Sequence, residues 1–252
     1  ASVGGGIPII RPLNYSLTAE KIEAITGILN GTTNYILSKM EKEGADFATV
    51  LKKAQEKGYA ERNPEADIEG YDAGRKIAIL SSLMLGKTVD ADKIYTEGIT
   101  KIATDDFLYA HKAGRTIKLL GMSKQTENGV FAMVAPFMIS EENPLSMVNG
   151  VFNAVCVRGN MLGDSMYYGK GAGKLPTASA VVSDVVDCAR HQGKIIMCLW
   201  DKKEAQLEDV GEVSRQFFLR AKASGMDAVK AAFPGGEVLE IPGREDFGYI
   251  TK

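Results

Sequence analysis

The sequence predicts an α+β fold in which a mixed, largely antiparallel sheet carries helices on one face. Three observations support this. Helical periodicity and helix caps dominate the chain up to Gly114. Strand-like runs rich in β-branched and aromatic residues begin at Thr116, and a long helical pattern follows them near Thr177. Helices, then strands, then a helix is an order typical of α+β proteins.

The composition bounds the class of protein. The 252 residues predict one or two domains, and 45% hydrophobic with 25% charged residues is ordinary for a globular chain. The net charge of −2 argues against a nucleic-acid partner, which needs a basic face. No apolar run approaches the roughly 18 residues of a membrane span. We therefore expect a protein that acts on neither nucleic acid nor membranes.

Cysteine and histidine usage narrows the chemistry. The three cysteines, Cys156, Cys188 and Cys198, form no CxxC motif, which favours a reducing compartment and a cytoplasmic location. Only two histidines, His111 and His191, are present, and they lie far apart. A histidine-rich zinc site and a Ser-His-Asp triad are therefore disfavoured.

The first elements are predicted from glycine and isoleucine spacing. Residues 3–10 are expected to form a short buried strand after a glycine-rich turn. Thr18-Ala19-Glu20 is expected to open a helix, since isoleucines and a leucine recur at three- and four-residue spacing from Ile22 to Leu29. Gly27 and Gly31 interrupt this pattern, which indicates a close approach of either a packed helix or a ligand.

Further helices follow from apolar stripes and caps. One is predicted over 46–57, with Val50, Leu51 and Ala54 as its apolar stripe, and another over 70–86, ending before Gly86. Asp90 is a candidate cap, and Asp105-Asp106 is expected to cap a helix over 106–114.

The second half is predicted to be richer in strands. We expect strands within 116–122, 130–134 and 148–157, with Asn128-Gly129 as a hairpin turn. A helix should run from Thr177 to about His191. Residues 199–214 are expected to link this body, residues 1–198, to a C-terminal segment, 215–252, of strand, helix, strand, strand. That segment is too small to bury a core of its own well.

The first residue carries an expectation of its own. The chain opens with Ala1 and runs into a glycine-rich apolar segment without the charged n-region of a signal peptide. We expect the chain to be a fragment, or to be preceded by a segment that this sequence does not include.

The densest polar cluster lies between Gly58 and Lys76. Asn63-Pro64 predicts a loop that leads into the helix near residue 70. Asp72 and Lys76 then lie four residues apart on one helix face, which is also the spacing of an ordinary surface ion pair worth about 0.5 kcal/mol. Lys76 leads into the apolar run 77–85, and partial burial there would suit its amine to proton transfer.

The spacing in this segment carries a resemblance to a known family. The pattern Ala54-x3-Gly58-Tyr59-Ala60-x2-Asn63-Pro64-x2-Asp67-Ile68-x-Gly70-x-Asp72-x3-Lys76 resembles the signature of homoserine dehydrogenases. The similarity continues through 1–10, 27–36, 150–155 and 169–184, and thus covers residues 1 to about 195. The family interconverts L-homoserine and L-aspartate 4-semialdehyde with NAD or NADP, in threonine and methionine biosynthesis.

The resemblance implies roles for individual residues. Lys76 would be the proton donor and acceptor, with Asp72 beside it, and Glu61 and Asp72 would bind homoserine. Asp67, Tyr59, Gly31 and Thr32 would line the substrate pocket. The residue types agree with this chemistry. Hydride transfer from an alcohol needs a proton acceptor and a positioned nicotinamide but no covalent nucleophile.

The glycine loop at 169–173 matches neither common phosphate-binding motif. It is one residue short of a P-loop, and Lys174 stands where a GxGxxG fingerprint needs its third glycine. The resemblance implies instead that Gly171 and Gly173 reach the cofactor, with Gly58 as a second contact. The alternative is a plain tight turn before the helix at Thr177.

The resemblance also implies a monovalent cation site of the sodium type. The carbonyl oxygens of Val3, Gly5 and Ile7 would be its ligands, while the family's acidic ligand would fall one position before Ala1.

Two parts of the family pattern shape the functional expectation. No dinucleotide-binding fingerprint is present in residues 1–252, so we expect these residues alone to lack dehydrogenase activity. Gln216–Arg220 resembles the first strand of an ACT regulatory module, which makes 215–252 a partial, small α/β ACT-like segment. The family also implies a homodimer.

Two alternative functions follow from the same residues. One is a non-catalytic oligomerisation or regulatory role. The other, a semialdehyde dehydrogenase with an acyl-enzyme intermediate, is disfavoured because all three cysteines lie in apolar patterns.

Overall fold

The structure is a computed structural model that describes residues 2–194 and 201–252. The helices are α1 (Gly31–Glu43), α2 (Phe47–Glu56), α3 (Glu65–Ile68), α4 (Tyr71–Leu85), α5 (Thr104–Lys112), α6 (Lys174–Arg190) and α7 (Met226–Ala232). The strands are β1 (Ile22–Ile28), β2 (Lys87–Thr88), β3 (Tyr95–Thr96), β4 (Arg115–Gln125), β5 (Val130–Ser140), β6 (Phe152–Gly159), β7 (Gly163–Lys170), β8 (Asp201–Glu204), β9 (Phe218–Lys222), β10 (Glu237–Leu239) and β11 (Asp246–Ile250).

The main sheet confirms the predicted fold class. Its six strands run in the order β3-β5-β4-β1-β6-β7, and every pair is antiparallel except β3 with β5. Helices α1 and α4 pack on one face, where Ile36 and Ile77 share a core with Ile25 and Val155 of the sheet. The result is an α+β body with its core between this sheet and its helices.

The predicted helix from Thr18 is wrong. Residues 22–28 form the central strand β1, which pairs with both β4 and β6. Isoleucine spacing of three fits a helix, but β-branched residues buried on both sides also suit a central strand. Gly27 makes this close pairing possible, because a Cβ there would lie 2.8 Å from the Ala154 carbonyl oxygen.

The predicted strand over residues 3–10 is also wrong. The segment is irregular, with positive φ at Gly4 and Gly5, and it ends in a π-helical turn, Pro12–Ser16. Val3, Ile7 and Ile9 are nevertheless buried. One backbone hydrogen bond, from Gly6 to the Lys170 carbonyl, ties the segment to the end of β7.

Several predicted elements are confirmed. Helix α2 begins after its N-cap Asp46, and α4 ends at Gly86, whose φ of 65° is the left-handed conformation that glycine favours. The Asn128-Gly129 turn joins β4 to β5. Asp90 caps a short 3-10 turn, whereas α5 begins at Thr104 and Asp106 receives the Ala103 amide from inside its first turn.

Besides β1, two strands of the main sheet were not predicted, the two-residue β3 and β7. β7 forms the edge beside β6, and its mixture of glycine, polar and aromatic residues gave no strand signal. The predicted helix at Thr177 begins three residues earlier, at Lys174, so that Pro176 lies in its first turn.

The C-terminal part has the predicted order of strand, helix, strand, strand. It packs on α5, where Tyr109 shares a cluster with Leu239 and Ile250. Arg244 pairs with Asp105 and Asp246, and this guanidinium holds the pKa of the Asp246 carboxyl well below its usual range. Within the predicted link 199–214, β8 pairs in parallel with β2, while residues 199–200 lie outside the described part.

Membrane insertion through a helix has no support in this fold. None of the helices within residues 2–194 and 201–252 combines the length and the apolar content that a crossing requires.

Candidate active site

The Asp72–Lys76 pair lies at the start of α4, as the four-residue spacing predicts. Gly70, with φ of 84°, turns the chain from α3 into α4. Asp72 lies in the first turn of α4, where the helix dipole favours a negative charge. The Lys76 amine lies 2.6 Å from Asp72 Oδ2, and the two side chains are 21% and 30% exposed. The pair is thus half-buried yet open to a ligand.

Asn30 joins this pair to the preceding loop. Its Nδ2 donates to Asp67 Oδ1 at 2.7 Å and to Asp72 Oδ2 at 2.9 Å. Its Oδ1 accepts the Thr33 amide and so caps α1. One buried amide therefore orients two carboxylates and starts a helix.

Sequence reasoning missed Asn30. Asparagine is a favoured N-cap, and Gly31 to Ile36 follow it as the first residues of a helix. The helix wrongly predicted from Thr18, whose apolar pattern runs to Leu29, was given no end before Asn30, and this hid the cap.

Lys76 makes a second contact at the end of β1. Its amine donates to the Leu29 carbonyl oxygen at 3.0 Å. Two of the three N–H groups of a lysine ammonium are thus used by Asp72 and Leu29, and the third is available to a ligand oxygen. The cluster of Asn30, Asp67, Asp72 and Lys76, which we call the carboxylate–lysine cluster, holds two carboxylates and one amine.

The loop before α3 lies over the start of α1. The Thr32 hydroxyl donates to the Tyr59 carbonyl oxygen at 2.7 Å. The Tyr59 ring meets Tyr35 edge to face, with centroids 4.9 Å apart. Gln55 donates to the Glu61 carbonyl at 3.0 Å. These bonds place Gly31, Thr32 and Tyr59 at one end of the same helix.

Glu61 is placed differently from the other predicted site residues. It is exposed, and within the described residues its carboxylate forms no hydrogen bond or ion pair. Its backbone is fixed by Gln55, while its side chain is not joined to the carboxylate–lysine cluster.

Asn153 connects the start of α1 with the glycine loop after β7. It is 2% exposed, and its Oδ1 has no hydrogen-bond partner in the described part of the chain. A Cβ on Gly31 would lie 3.3 Å from this oxygen, and one on Gly171 would lie 2.3 Å from Asn153 Cγ. A buried amide oxygen without a donor is costly, so it is a natural acceptor for a ligand or a water molecule. This residue, too, was missed.

The other predicted cofactor glycines occupy turns. Gly58, with φ of 72°, follows the C-terminus of α2, and its own amide bonds back to Gln55. Gly173, with φ of 115°, precedes α6. Neither has a crowding neighbour, so the backbone conformation alone accounts for glycine at both positions.

The predicted cation ligands lie in one irregular loop. The Ile7 carbonyl accepts the Ile9 amide at 2.8 Å, and Gly5 lies against the Gly171 carbonyl. Val3, Gly5 and Ile7 offer only neutral oxygens, and one is already used. Elsewhere in residues 2–194 and 201–252, no group of three or more His, Cys, Asp or Glu side chains could hold a metal.

Cysteine chemistry is absent from the carboxylate–lysine cluster. Cys156 lies in β6, where burial raises the pKa of its thiol to about 11. Cys188 is exposed on α6, and Cys198 lies outside the described residues. His111 pairs with Glu41 at 2.9 Å.

Comparison with known proteins gives a consistent picture. The family model described as Homoserine dehydrogenase matches residues 8–186. A homoserine dehydrogenase of Neisseria gonorrhoeae is 51% identical over 190 residues, which are 75% of this chain and 44% of that protein.

Solved structures extend the likeness. A homoserine dehydrogenase from Thiobacillus denitrificans superposes with a TM-score of 0.88 at 39% identity, over 99% of this chain and 61% of that one. A hyperthermophilic archaeal homoserine dehydrogenase in complex with NADPH gives 0.63 at 30% identity, over 75% and 54% of the two chains. The chain spans about half the length of the curated relatives it matches.

Proposed function

Because the chain belongs to the homoserine dehydrogenase family, we propose that residues 1–252 supply the substrate-binding and catalytic part of such an enzyme. Its reaction would interconvert L-homoserine and L-aspartate 4-semialdehyde with NAD or NADP. The observation that carries this proposal is the carboxylate–lysine cluster, in which Lys76 meets Asp72 at 2.6 Å and Asn30 bridges Asp72 to Asp67.

Lys76 is the proposed acid and base. A bound dinucleotide would supply the hydride acceptor of the oxidation and the hydride donor of the reduction. Lys76, once deprotonated, would take the hydroxyl proton in oxidation, and its ammonium would give that proton back in reduction. Asp72 and the Leu29 carbonyl orient the amine, and Asp72 stabilises the ammonium that forms.

The carboxylates are proposed to bind the substrate ammonium. Asp67 Oδ1 is held by Asn30, which leaves its second oxygen available to a ligand. Glu61, exposed in the loop before α3, would close over the same group. A charged hydrogen bond of this kind contributes about 1.5–3 kcal/mol. Gly31, Thr32 and Tyr59 would form the wall of this pocket, since they lie together at the start of α1.

The cofactor end of the site is proposed to lie at the loop after β7. The family relative that binds NADPH supports a nicotinamide nucleotide. The residues present fit such a group, because the buried Asn153 Oδ1 lacks a donor beside Gly171. Asn153 and the backbone of Gly171 and Gly173 would hold the nucleotide, with Gly58 as a second contact.

The proposed sodium site would use only backbone carbonyl oxygens of this chain. The three neutral carbonyls of Val3, Gly5 and Ile7 do not by themselves make a charged oxygen site of the kind hard cations prefer. Sodium binding stays a prediction, and no step of the proposed reaction depends on it.

We further propose that residues 1–198 are the catalytic and dimerisation domain and that 215–252 form a partial ACT-like unit joined by 199–214. The face of the main sheet away from α1 and α4 exposes Met166 and Tyr168 of β7, which supports a homodimer. Sedimentation velocity at two concentrations tests this. A cytoplasmic enzyme of threonine and methionine biosynthesis would fit the family and the free thiols of Cys156 and Cys188.

The test is an assay of the intact protein with L-homoserine and NADP+, followed by absorbance of NADPH. Lys76→Met should lower kcat by about 10²- to 10⁴-fold. Lys52→Met, an exposed lysine of α2, is the matched control and should leave kcat unchanged. A loss below about threefold for Lys76→Met would contradict the proposal and favour a non-catalytic oligomerisation or regulatory role.

The activity of residues 1–252 on their own is a separate proposal. They contain no GxGxxG fingerprint for a dinucleotide. We therefore propose that this stretch alone does not turn over homoserine, and measurable turnover by the purified stretch would refute this.

A further inference from the structure

A crevice of about 1010 Å³ lies between β5 and the C-terminal part of the chain. Residues 210–218 form one wall, and the 95–102 segment with β5 forms the other. We call it the junction crevice. Its volume is at the upper end of what small-molecule sites enclose. It shares no lining residue with the carboxylate–lysine cluster.

The floor of the junction crevice is apolar. Met133, Ala135 and Phe137 share one face of β5 and line it together with Phe217 and Ile250 of the C-terminal part. An occupant would therefore need an apolar body to match this surface.

Arg215 supplies the polar feature of the junction crevice. Its guanidinium carbon lies 5.4 Å from the Phe131 ring centroid and 5.8 Å from that of Phe217. It donates to the Val210 carbonyl and to Met133 Sδ, but its buried Nε has no acceptor. Within the described residues no carboxylate lies within 4.0 Å of it. A partly buried cation without a counter-ion is unfavourable, and binding an anion would offset this cost.

Two other arginines of the C-terminal part form ion pairs, unlike Arg215. Arg220 pairs with Asp106 at 2.7 Å, and Arg244 pairs with Asp246 at 2.6 Å. Both charges are therefore neutralised inside the chain, while that of Arg215 is not.

The remaining charges favour an anion as well. Four cationic side chains, Lys101, Arg115, Arg215 and Arg220, line the junction crevice against three acidic ones, Glu97, Asp106 and Glu212. Arg220 and Asp106 pair with each other. The other charged side chains that line the crevice are Lys101, Arg115 and Arg215 against Glu97 and Glu212, an excess of one positive charge.

We propose that the junction crevice is a binding site for a small organic carboxylate with an apolar body, whose carboxylate pairs with Arg215. Nη1 and Nη2 of Arg215 each carry a second N–H beyond the bonds to Met133 and Val210, and these can donate to a carboxylate. The apolar body would lie on Met133, Ala135 and Phe137.

The site is linked to the carboxylate–lysine cluster by one backbone segment. Glu97 lines the junction crevice, and its amide donates to the Val134 carbonyl at 2.8 Å. Two residues on, the Ile99 amide donates to the Ile68 carbonyl at 2.8 Å, and Ile68 directly follows Asp67. A ligand that displaces Glu97 would therefore shift the segment on which Asp67 rests. This coupling rests on the proposed function, whereas binding does not.

The binding test uses para-fluorobenzoate as the probe on the intact protein, observed by fluorine NMR. Wild type should bind it with Kd below about 1 mM, whereas para-fluorobenzamide, its uncharged counterpart, should bind at least about tenfold more weakly. Arg215→Met keeps the aromatic contacts but removes the charge, and should weaken benzoate binding about tenfold or more. Arg158→Met, whose ion pair with Asp164 lies on the edge of β6 and β7, should leave binding unchanged.

A second variant guards against misfolding of Arg215→Met. Ser214 lines the junction crevice and is exposed, so Ser214→Trp fills the space with Arg215 intact. It should also weaken benzoate binding. Equal binding of benzoate and benzamide, no binding by wild type, or unchanged binding by both variants would overturn the proposed site.

The coupling has its own readout. Saturating para-fluorobenzoate should change KM for L-homoserine about twofold or more in wild type and leave it unchanged in Arg215→Met. Binding without this change would refute the coupling and leave the site standing, and a wild type inactive toward homoserine would count against the proposed function alone.

Discussion

Replacing Asn30 with serine separates the two structural roles of this side chain, capping a helix and bridging two carboxylates. Asn30 Oδ1 caps α1 through the Thr33 amide, and Nδ2 bridges Asp67 and Asp72. Serine keeps a capping oxygen but has no amide that could span two carboxylates, whereas alanine has neither. Comparing Asn30→Ser with Asn30→Ala therefore isolates the bridge.

The magnitude follows from the two hydrogen bonds. They are 2.7 and 2.9 Å long, and each joins an amide to a carboxylate, a bond worth about 1.5–3 kcal/mol. If orienting Asp72 for Lys76 uses the equivalent of one such bond, kcat/KM falls by about 10- to 150-fold. Alanine should lose a further ~1 kcal/mol of unfolding free energy with the cap.

The assay is steady-state oxidation of L-homoserine with NADP+ by the intact protein, together with urea unfolding of both variants. We expect a similar loss of kcat/KM in the two variants, and an unfolding free energy that is about 1 kcal/mol lower in Asn30→Ala than in Asn30→Ser. Retention of kcat/KM within about threefold in Asn30→Ser would refute the reasoning that the bridge positions the cluster.

Three further outcomes follow from individual contacts. Gly171→Ala should lower the unfolding free energy by about 1–3 kcal/mol in urea, since its Cβ would come within 2.3 Å of Asn153 Cγ; an unchanged midpoint would contradict this close packing. At pH 8, iodoacetamide should label the exposed Cys188 while Cys156, whose thiol pKa is raised by burial to about 11, stays unlabelled in peptide mass spectra. Burial lowers the pKa of Lys118 from 10.5 to about 8, so between these values the unfolded chain binds more protons than the folded one. The unfolding free energy of wild type relative to Lys118→Met should therefore rise by about 2 kcal/mol from pH 8 to 10. A pH-independent difference between the two proteins would show that this amine is not held neutral in the fold.

The elements that could be predicted are those that begin or end at a helix cap or a turn residue. Asp46 marks the start of α2, and Gly86 marks the end of α4. Asn128-Gly129 marks the turn between β4 and β5. Caps and turns depend on contacts within a few residues, so they can be recognised from a short stretch of sequence.

The elements that could not be predicted depend on distant partners. The spacing of Ile22, Ile25 and Ile28 fits a helix face and a buried strand equally well, and pairing with β4 and β6 decides between them. These partners of β1 are far away in the sequence. β7 is a different case, because it follows β6 after a short turn and was missed for its mixture of glycine, polar and aromatic residues.

The site shows the same division. Asp72 and Lys76 share a helix face, so their contact follows from spacing alone. Asn30 reaches Asp67 and Asp72 across more than 35 residues of sequence, and the helix wrongly predicted from Thr18 concealed its role as a cap. Asn153 is joined to Gly31 and Gly171 only by the fold.

Helix α5 contacts both the core of the main sheet and the C-terminal strands, and these contacts determine how the protein unfolds. Its buried side contributes Phe107 and Ala110 to the main core, while Tyr109 bonds to Asp246 and Asp106 holds Arg220 of the C-terminal strands. Loss of the C-terminal strands would remove the arginine partners of α5 and leave Asp105 and Asp106 as adjacent carboxylates without a counter-ion. The two parts of the chain should therefore unfold in a single transition, because the small C-terminal sheet holds α5, a helix that also packs in the core of the main sheet.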